Sequence, residues 1–194
     1  MRVLVACEYS GTVRDAFLRR GHEAMSCDLL ATDVPGPHYQ GDVRDVLDYP
    51  WDLLIAHPPC TDLSVSGARH FPAKRMDGRQ QAGASFAIML GKCDVSRICV
   101  ENPVSVLSSI WRKPDQVVQP WWFGEPQFKA TCLWLKGLPP LVSTDRLATP
   151  AKGTDDHKAW SSIHRAPPGP DRWKFRSKTF AGIAEAMAEQ WGGL

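Results

Sequence analysis

Residues 52–67 read DLLIAHPPCTDLSVSG. Leu53 to Ala56 is an unbroken apolar run, which suits a strand covered on both faces inside a parallel sheet. Pro58 and Pro59 end it, since proline has no N–H for a ladder and fixes its own backbone angle. Cys60 then heads a loop of small polar residues that reaches Gly67. A thiol behind a rigid double proline has two readings. It packs, or it is a nucleophile whose position must not wander.

Working outward, Val3 to Ala6 is a second such run, followed by Gly11 and by Val13, Phe17 and Leu18 at helical spacing up to Gly21. His22 to Cys27 reads as a strand ending in Asp28, Gln80 to Leu90 as a helix, and Arg97 to Val100 as a strand ending in Glu101, Asn102 and Pro103. Strands alternating with helices predict an α/β domain on a mostly parallel sheet. Val117–Val118 and Ala130–Leu135 predict an antiparallel edge. Residues 138–176 lack periodicity and read as a long irregular segment. Phe180, Ile183, Ala184, Met187, Ala188 and Trp191 share one face of a closing helix, which Ser177 and Thr179 are placed to cap.

The chain has 194 residues, 43% of them hydrophobic and 23% charged, a size for one domain with a sizeable core. No apolar run reaches the roughly 20 residues that cross a bilayer. Glu8 interrupts the N-terminal apolar run too early for a signal peptide. A net charge of +2 neither requires nor excludes nucleic acid. Six cysteines without a CxxC pair argue against a zinc site or a disulfide framework, and for a reducing cytoplasm. The expectation is a monomer with no metal and no membrane contact.

Reactive or charged residues stand at four strand ends: Glu8, Asp28, Cys60 and Glu101. Ligands of open α/β sheets bind at that edge. The turn Glu8, Tyr9, Ser10, Gly11 is a candidate nucleotide-binding loop, although without GxGxxG it also reads as a plain strand-to-helix turn. Asp28, with Leu29 after it, stands where an acid holds a ribose diol. Asp42 and Val43 lie in a loop where Asp42 could accept from an adenine amino group, or be solvated. Cys99 and Cys132 read as buried structural thiols, while Cys60 in its loop fits that reading less well. Glu101, held above an apolar sheet, is expected to have a raised pKa and to serve as an acid.

PPCTDLSVSG resembles the cysteine motif of the cytosine-C5 DNA methyltransferases, which reads roughly PCQxFSxAG. Pro59, Cys60, Ser64 and Gly67 match; Leu63 takes the aromatic slot and Ser66 the alanine slot. VENP resembles that family's ENV motif. The first turn, Asp28 and Asp42 follow in the order of its cofactor motifs. The likeness covers residues 1–136 motif by motif, and the chain is similar to short, divergent members carried by bacteriophages. It implies a Rossmann-like class I methyltransferase fold, S-adenosylmethionine as cofactor and duplex DNA as partner, in a bacterial or phage-infected cell. It further implies that Cys60 adds to cytosine C6, that Glu101 serves N3, that Asn102 positions the loop and that Pro58 borders the cofactor.

Departures stand beside the likeness. Thr61 replaces the glutamine after the cysteine, His57 stands where glycine is common, and the first turn carries less glycine. Lys129, in QFKATCLWL, is the candidate for the family's arginine, with a solvated edge-strand lysine as the other reading. The likeness assigns residues 1–137 and 177–194 to the catalytic domain. Residues 138–176 become a reduced target reader, in which Arg165, Arg172 and Lys174 meet the substrate along with Pro59, Ser64, Gly67 and Arg69. The same chemistry on RNA or a free cytosine nucleotide remains open, as does an inactive DNA-binding module. A nicotinamide oxidoreductase lacks the glycine fingerprint and gives Cys60 no role.

Overall fold

The computed structural model describes residues 1–167, 169, 172–177 and 179–194; Pro168, Pro170 and Asp171 of the 138–176 segment, and Lys178, lie outside the described residues. In chain order the elements are β1 (Arg2–Ala6), α1 (Thr12–Arg19), β2 (Glu23–Asp28), β3 (His38–Gln40), β4 (Leu53–Ala56), α2 (Phe71–Met76), α3 (Arg79–Lys92) and β5 (Ile98–Pro103). There follow α4 (Leu107–Ile110), β6 (Gln116–Val118), β7 (Thr131–Lys136), α5 (Asp155–Trp160), α6 (Ser162–Arg165), α7 (Arg172–Ser177) and α8 (Ala181–Trp191).

The strands form one seven-stranded sheet in the order β3-β2-β1-β4-β5-β7-β6. β1 pairs in parallel with β2 and β4, and β4 with β5, while β7 runs antiparallel to both β5 and β6. This is a Rossmann-like α/β fold, a mostly parallel sheet with an antiparallel edge. The apolar runs explain its centre: all four residues of β4 are fully buried, as are Val3 to Ala6 of β1. Such strands need cover on both faces. One face carries α1 and α8, with Val13, Phe17, Ile183, Met187 and Trp191 on the strand side chains. The other carries α3 and α4, through Ala84, Ala87, Leu90 and Leu107.

Several expectations change. Glu101 and Asn102 lie inside β5, because that strand keeps pairing with β7 as far as Pro103. The 138–176 segment is less irregular than its composition suggests: it carries α5, α6 and α7, and Leu141 is buried in the core beside Trp191. Its first residues therefore belong structurally to the sheet domain. The cap of α8 is not Ser177 or Thr179. Phe180 occupies the N-cap position with no side-chain bond of its own, and Glu125 Oε1 accepts the Gly182 N–H at 2.9 Å. Ser177 instead turns to Tyr9, 3.1 Å away. Among the described residues no helix is long and apolar enough to cross a membrane.

Trp191 is fully buried, and its Nε1 donates to Pro139 O at 3.0 Å. Trp191→Ala removes both the packing and the donor. It is expected to cost about 3–5 kcal/mol of stability, read as a lower urea midpoint with unchanged slope.

Candidate active site

The parallel registers align the ends of four strands. Ala6 sits opposite Cys27 on one side and Ala56 on the other, and Ala56 opposite Val100. One residue further on, Asp28, Cys7, His57 and Glu101 form a row across the edge of the sheet. Cys7 leaves its strand in the left-handed region at φ 59, uncommon for a residue with a side chain. Burial first, and the Asp28 charge second, push the Cys7 thiol up to about 12, so it is inert there.

The same register puts Pro58 beside Asn102. Asn102 Nδ2 donates to Pro58 O at 2.9 Å in a buried bond. Beyond it the loop folds into a single turn, in which Cys60 O accepts from Leu63 N at 3.0 Å and Ser64 N at 2.9 Å. Lys74, almost wholly buried, donates to Thr61 O and lies 3.1 Å from Asp62 Oδ1. Gln80 Nε2 donates to Asp62 O at 3.3 Å. Val65 N–H reaches Val104 O and Val106 N–H reaches Leu63 O, both at 3.0 Å, zipping the loop onto the segment after β5. Pro58, Cys60, Thr61 and Asp62 thus all have their carbonyls held. The loop carrying the thiol is pinned from α2, α3 and β5, which answers the question its sequence raises: Cys60 does not wander.

Cys60 itself is half-buried. Burial raises its pKa, the Glu101 charge adds to that, and Lys129 and Arg176 pull the other way without prevailing. At rest it is a thiol beside a carboxylate and two cations. Glu101 departs from the sequence expectation. Burial alone would raise its pKa, but the bond from His57, the Lys129 charge and the Thr131 hydroxyl outweigh it, so its pKa is lowered and it is ionised at rest. His57 Nδ1 is 3.0 Å from Glu101 Oε2. Thr131 also lies 3.2 Å from Lys129 O, so its one proton is shared between the two oxygens. Lys129 Nζ stands 5.7 Å from the Phe180 ring centroid. The structure therefore brings Cys60, Glu101, Asn102 and Lys129 to one place.

The first turn is organised internally. Glu8 is buried and accepts from Val13 N at 2.7 Å and Arg14 N at 3.2 Å, closing the start of α1. Gly11 has φ 73, and an added Cβ would stand 2.5 Å from Arg14 Nη2. Arg14 is fully buried and ties Ser26, Thr32, Val34 O and Pro35 O together, which fixes the loop after Asp28. Ser10 bonds to Thr12 and Glu8. Asp28 Oδ1 accepts from Leu30 N at 2.9 Å, and burial raises its pKa despite that bond. Leu29 beside it is 73% exposed, an apolar surface at the mouth of the cleft. Asp42 caps the 3₁₀ turn Val43–Asp45 and pairs with Arg44 at 2.8 Å, while the Val43 side chain is buried in the core.

Around this lies a polar rim. Tyr9 OH meets Ser177 Oγ at 3.1 Å and Lys174 O at 3.3 Å, and its ring lies 5.8 Å from Trp173. Arg176 reaches Ser66 Oγ at 3.4 Å, so α7 bridges the first turn and the Cys60 loop. Ser64 caps the 3₁₀ turn Val65–His70, which exposes Arg69, and Pro59 is exposed beside the thiol. Arg172 is turned to Ala166 O at 2.8 Å, Lys174 is exposed, and exposed Arg165 ends α6 with no bond that ties it to Cys60. Gly67 needs no special backbone angle, and an added Cβ would meet only Lys74 Nζ, at 3.8 Å. The fold itself does not demand glycine there.

Lys74, Gln80 and Thr131 are neighbours of this place that the sequence did not reveal, whereas Arg176 is one of the basic residues of the 138–176 segment. A lysine and a glutamine amid polar residues carry no mark of burial, and Thr131 sits in a strand read only as an edge. All six cysteines are free, and no metal-holding cluster occurs among the described residues.

No family model matches the chain, and no curated protein is similar to it. Among solved structures the chain is similar to a protein of an Escherichia coli prophage, provisionally described as a DNA modification methyltransferase. The two share 15% identity over 70% of this chain and 46% of that one, with a TM-score of 0.47. The chain thus spans under half the length of that protein, and a likeness of this size carries no statement about activity.

The pinned loop gives a direct expectation. Lys74→Met leaves Thr61 O and Asp62 without their cation, and is expected to speed amide exchange at Leu63 and Ser64 by on the order of tenfold, about 1.4 kcal/mol of local opening. Glu101→Gln removes the charge that opposes the thiolate. Alkylation of Cys60 by iodoacetamide should then accelerate at pH 7, with its pH midpoint displaced downward.

Proposed function

We propose that the protein is an S-adenosylmethionine-dependent methyltransferase acting on C5 of cytosine in duplex DNA, through a covalent bond between Cys60 and C6. The observation that carries this reading is the meeting of a rigidly held thiol with a buried, ionised glutamate and a lysine, at the carboxyl edge of an α/β sheet where ligands bind.

The cleft residues fit the cofactor. Asp28 offers a carboxylate at the strand end for a diol, Leu29 offers an exposed apolar face for an adenine, and Tyr9, Ser10 and Asp42 line the same side. Glu8, Gly11 and Val43 act through shape, by closing the helix start, making the turn and packing the floor. When bound, S-adenosylmethionine supplies an electrophilic methyl carbon.

The chain's own residues do the rest. Cytosine C5 is a weak nucleophile until C6 carries a substituent. Addition of Cys60 Sγ to C6 moves the electron pair of the ring toward N3, where Glu101 stands as proton carrier, and C5 becomes enamine-like. Lys129 and Arg176 offset the charge that develops between sulfur and ring. Asn102 keeps Pro58, and with it the thiol, in register. After transfer, loss of the C5 proton expels the thiolate and restores the ring. A base in duplex DNA has to leave the stack to reach this site. Arg69, Lys174 and Arg172 on the rim suit phosphate contacts, Ser64 and Pro59 border the entrance, and Arg165 belongs to the outer part of a small reader. Such a reader implies a short recognition sequence.

Incubation with tritiated-methyl S-adenosylmethionine and unmethylated duplex DNA is expected to place label in 5-methylcytosine, with none above background for Cys60→Ala. Label in another nucleoside, or label retained by Cys60→Ala, overturns the reading; transfer to RNA or free nucleotide in place of DNA moves the same chemistry to another substrate. Gly67→Ala is expected to fold normally, since the added methyl meets Lys74 Nζ at an ordinary 3.8 Å, and to lower kcat/KM by about tenfold or more if the Cys60 loop borders the base as proposed.

A further inference from the structure

Of the strand-end row, the inert Cys7 and His57 have no task in this reaction, and a role for His57 rests on the proposed function above. His57 stands between Cys7 and Glu101, and its side chain is 9% exposed. Nδ1 is 3.0 Å from Glu101 Oε2. Nε2 is buried and has no hydrogen-bond partner among the described residues. A protonated Nε2 would leave a donor buried and unmet, whereas a bare nitrogen with no partner is the lesser cost. The proton therefore belongs on Nδ1, where an acceptor awaits it, and that acceptor is a carboxylate.

We propose that His57 is a positioning residue, whose Nδ1–H holds Glu101 ionised and oriented to take the Cys60 proton and deliver it to N3 of the base. The step balances within the chain and substrate. The Sγ–H bond breaks and its proton moves to Glu101; Sγ–C6 forms as the C5–C6 π pair shifts toward N3; the proton then passes from Glu101 to N3. Glu101 begins and ends as a carboxylate, and His57 keeps its proton throughout. The groups that face this pair are Lys129 just before β7, Thr131 and Cys132 within β7, Cys99 on β5, Cys60 on the loop with Arg176 beyond it, Cys7 after β1, and Asp28 from β2. Lys129 and Thr131 work in the same direction as His57, so its removal weakens the hold on the glutamate without abolishing it.

Two measurements test this. Long-range proton–nitrogen correlation spectra of the ¹⁵N-histidine-labelled protein, with His57→Asn used to assign the signal, are expected to show the Nδ1–H tautomer with a bare Nε2 at pH 7.5. The Nε2–H tautomer or the imidazolium overturns the proposal, with no need for substrate. The second is the pH profile of kcat/KM. His57→Leu removes the donor, so the ionised form of Glu101 loses support and the acid limb moves up: at a pH on that limb, below both midpoints, its kcat/KM relative to its own plateau should be about tenfold lower than wild type's for each pH unit of displacement. His57→Asn, whose amide N–H replaces Nδ1–H, should stay within about twofold of wild type at the same pH. A uniform loss in both variants with no displaced limb assigns His57 a packing role and overturns the proposal. Absence of methyl transfer by wild type overturns the proposed function instead, and the tautomer then decides alone whether His57 orients Glu101.

Discussion

The parallel register of β4 on β5 is the constraint on which the site depends. With Ala56 opposite Val100, His57 must fall beside Glu101 and Pro58 beside Asn102. The two contacts that matter, 3.0 Å between His57 and Glu101 and 2.9 Å between Asn102 and Pro58, need no further arrangement. A slip of one residue would turn every side chain of the strand end to the other face and separate both pairs. Packing on both faces of β4 opposes that slip, since Leu53, Leu54, Ile55 and Ala56 are fully buried, differ in volume and would no longer fill the spaces they occupy. The apolar centre of the sheet and the polar edge are one device: the first fixes the register, and the register builds the second.

The antiparallel strand β7 has a comparable role on the other flank. By pairing with Glu101, Asn102 and Pro103 it prolongs β5 beyond the apolar run that announces it, and holds the glutamate in a rigid ladder where a loop was expected. It also brings Thr131, with Lys129 just before it, against the Glu101 carboxylate. That is why burial does not win at this residue. A carboxylate above an apolar sheet with no donors would hold its proton; one with an imidazole donor, a shared hydroxyl and an ammonium nearby releases it.

Sequence reading recovered what apolar runs and strand ends encode. Val3–Ala6 and Leu53–Ala56 declare buried parallel strands, and the residues after them fall at the ligand edge by the topology of such sheets. It recovered less where the signal is relational. The row of Asp28, Cys7, His57 and Glu101 joins strands that are not consecutive in sequence, and apolar β-branched runs do not state their mutual register. Lys74 and Gln80 look like surface residues, because nothing local shows that the Cys60 loop will fold over them. Glu8 illustrates the reverse case: a charge at a strand end suggests a ligand contact, yet its carboxylate closes the start of α1. In the 138–176 segment the lack of a long period hid three short helices, each too brief to show one.

The polar atoms left unmet at this edge bear on how it works. His57 Nε2 and Asn102 Oδ1 are buried without hydrogen-bond partners among the described residues, at a cost on the order of 1–3 kcal/mol each. Both side chains spend their other polar atom on a neighbour at this edge, one on Glu101 and one on Pro58. A fold selected for stability alone would place apolar groups there, as it does one residue earlier at Ala56 and Val100. What the two side chains secure is position, for a carboxylate on one side and a thiol-bearing loop on the other. Strain accepted in the ground state at a site is a feature of preorganised catalysis. Of the four buried side-chain atoms with no hydrogen-bond partner among the described residues, Asp62 Oδ1 and Trp122 Nε1 lie elsewhere, and the other two fall on the pair of strand ends that the register of β4 on β5 has already brought together.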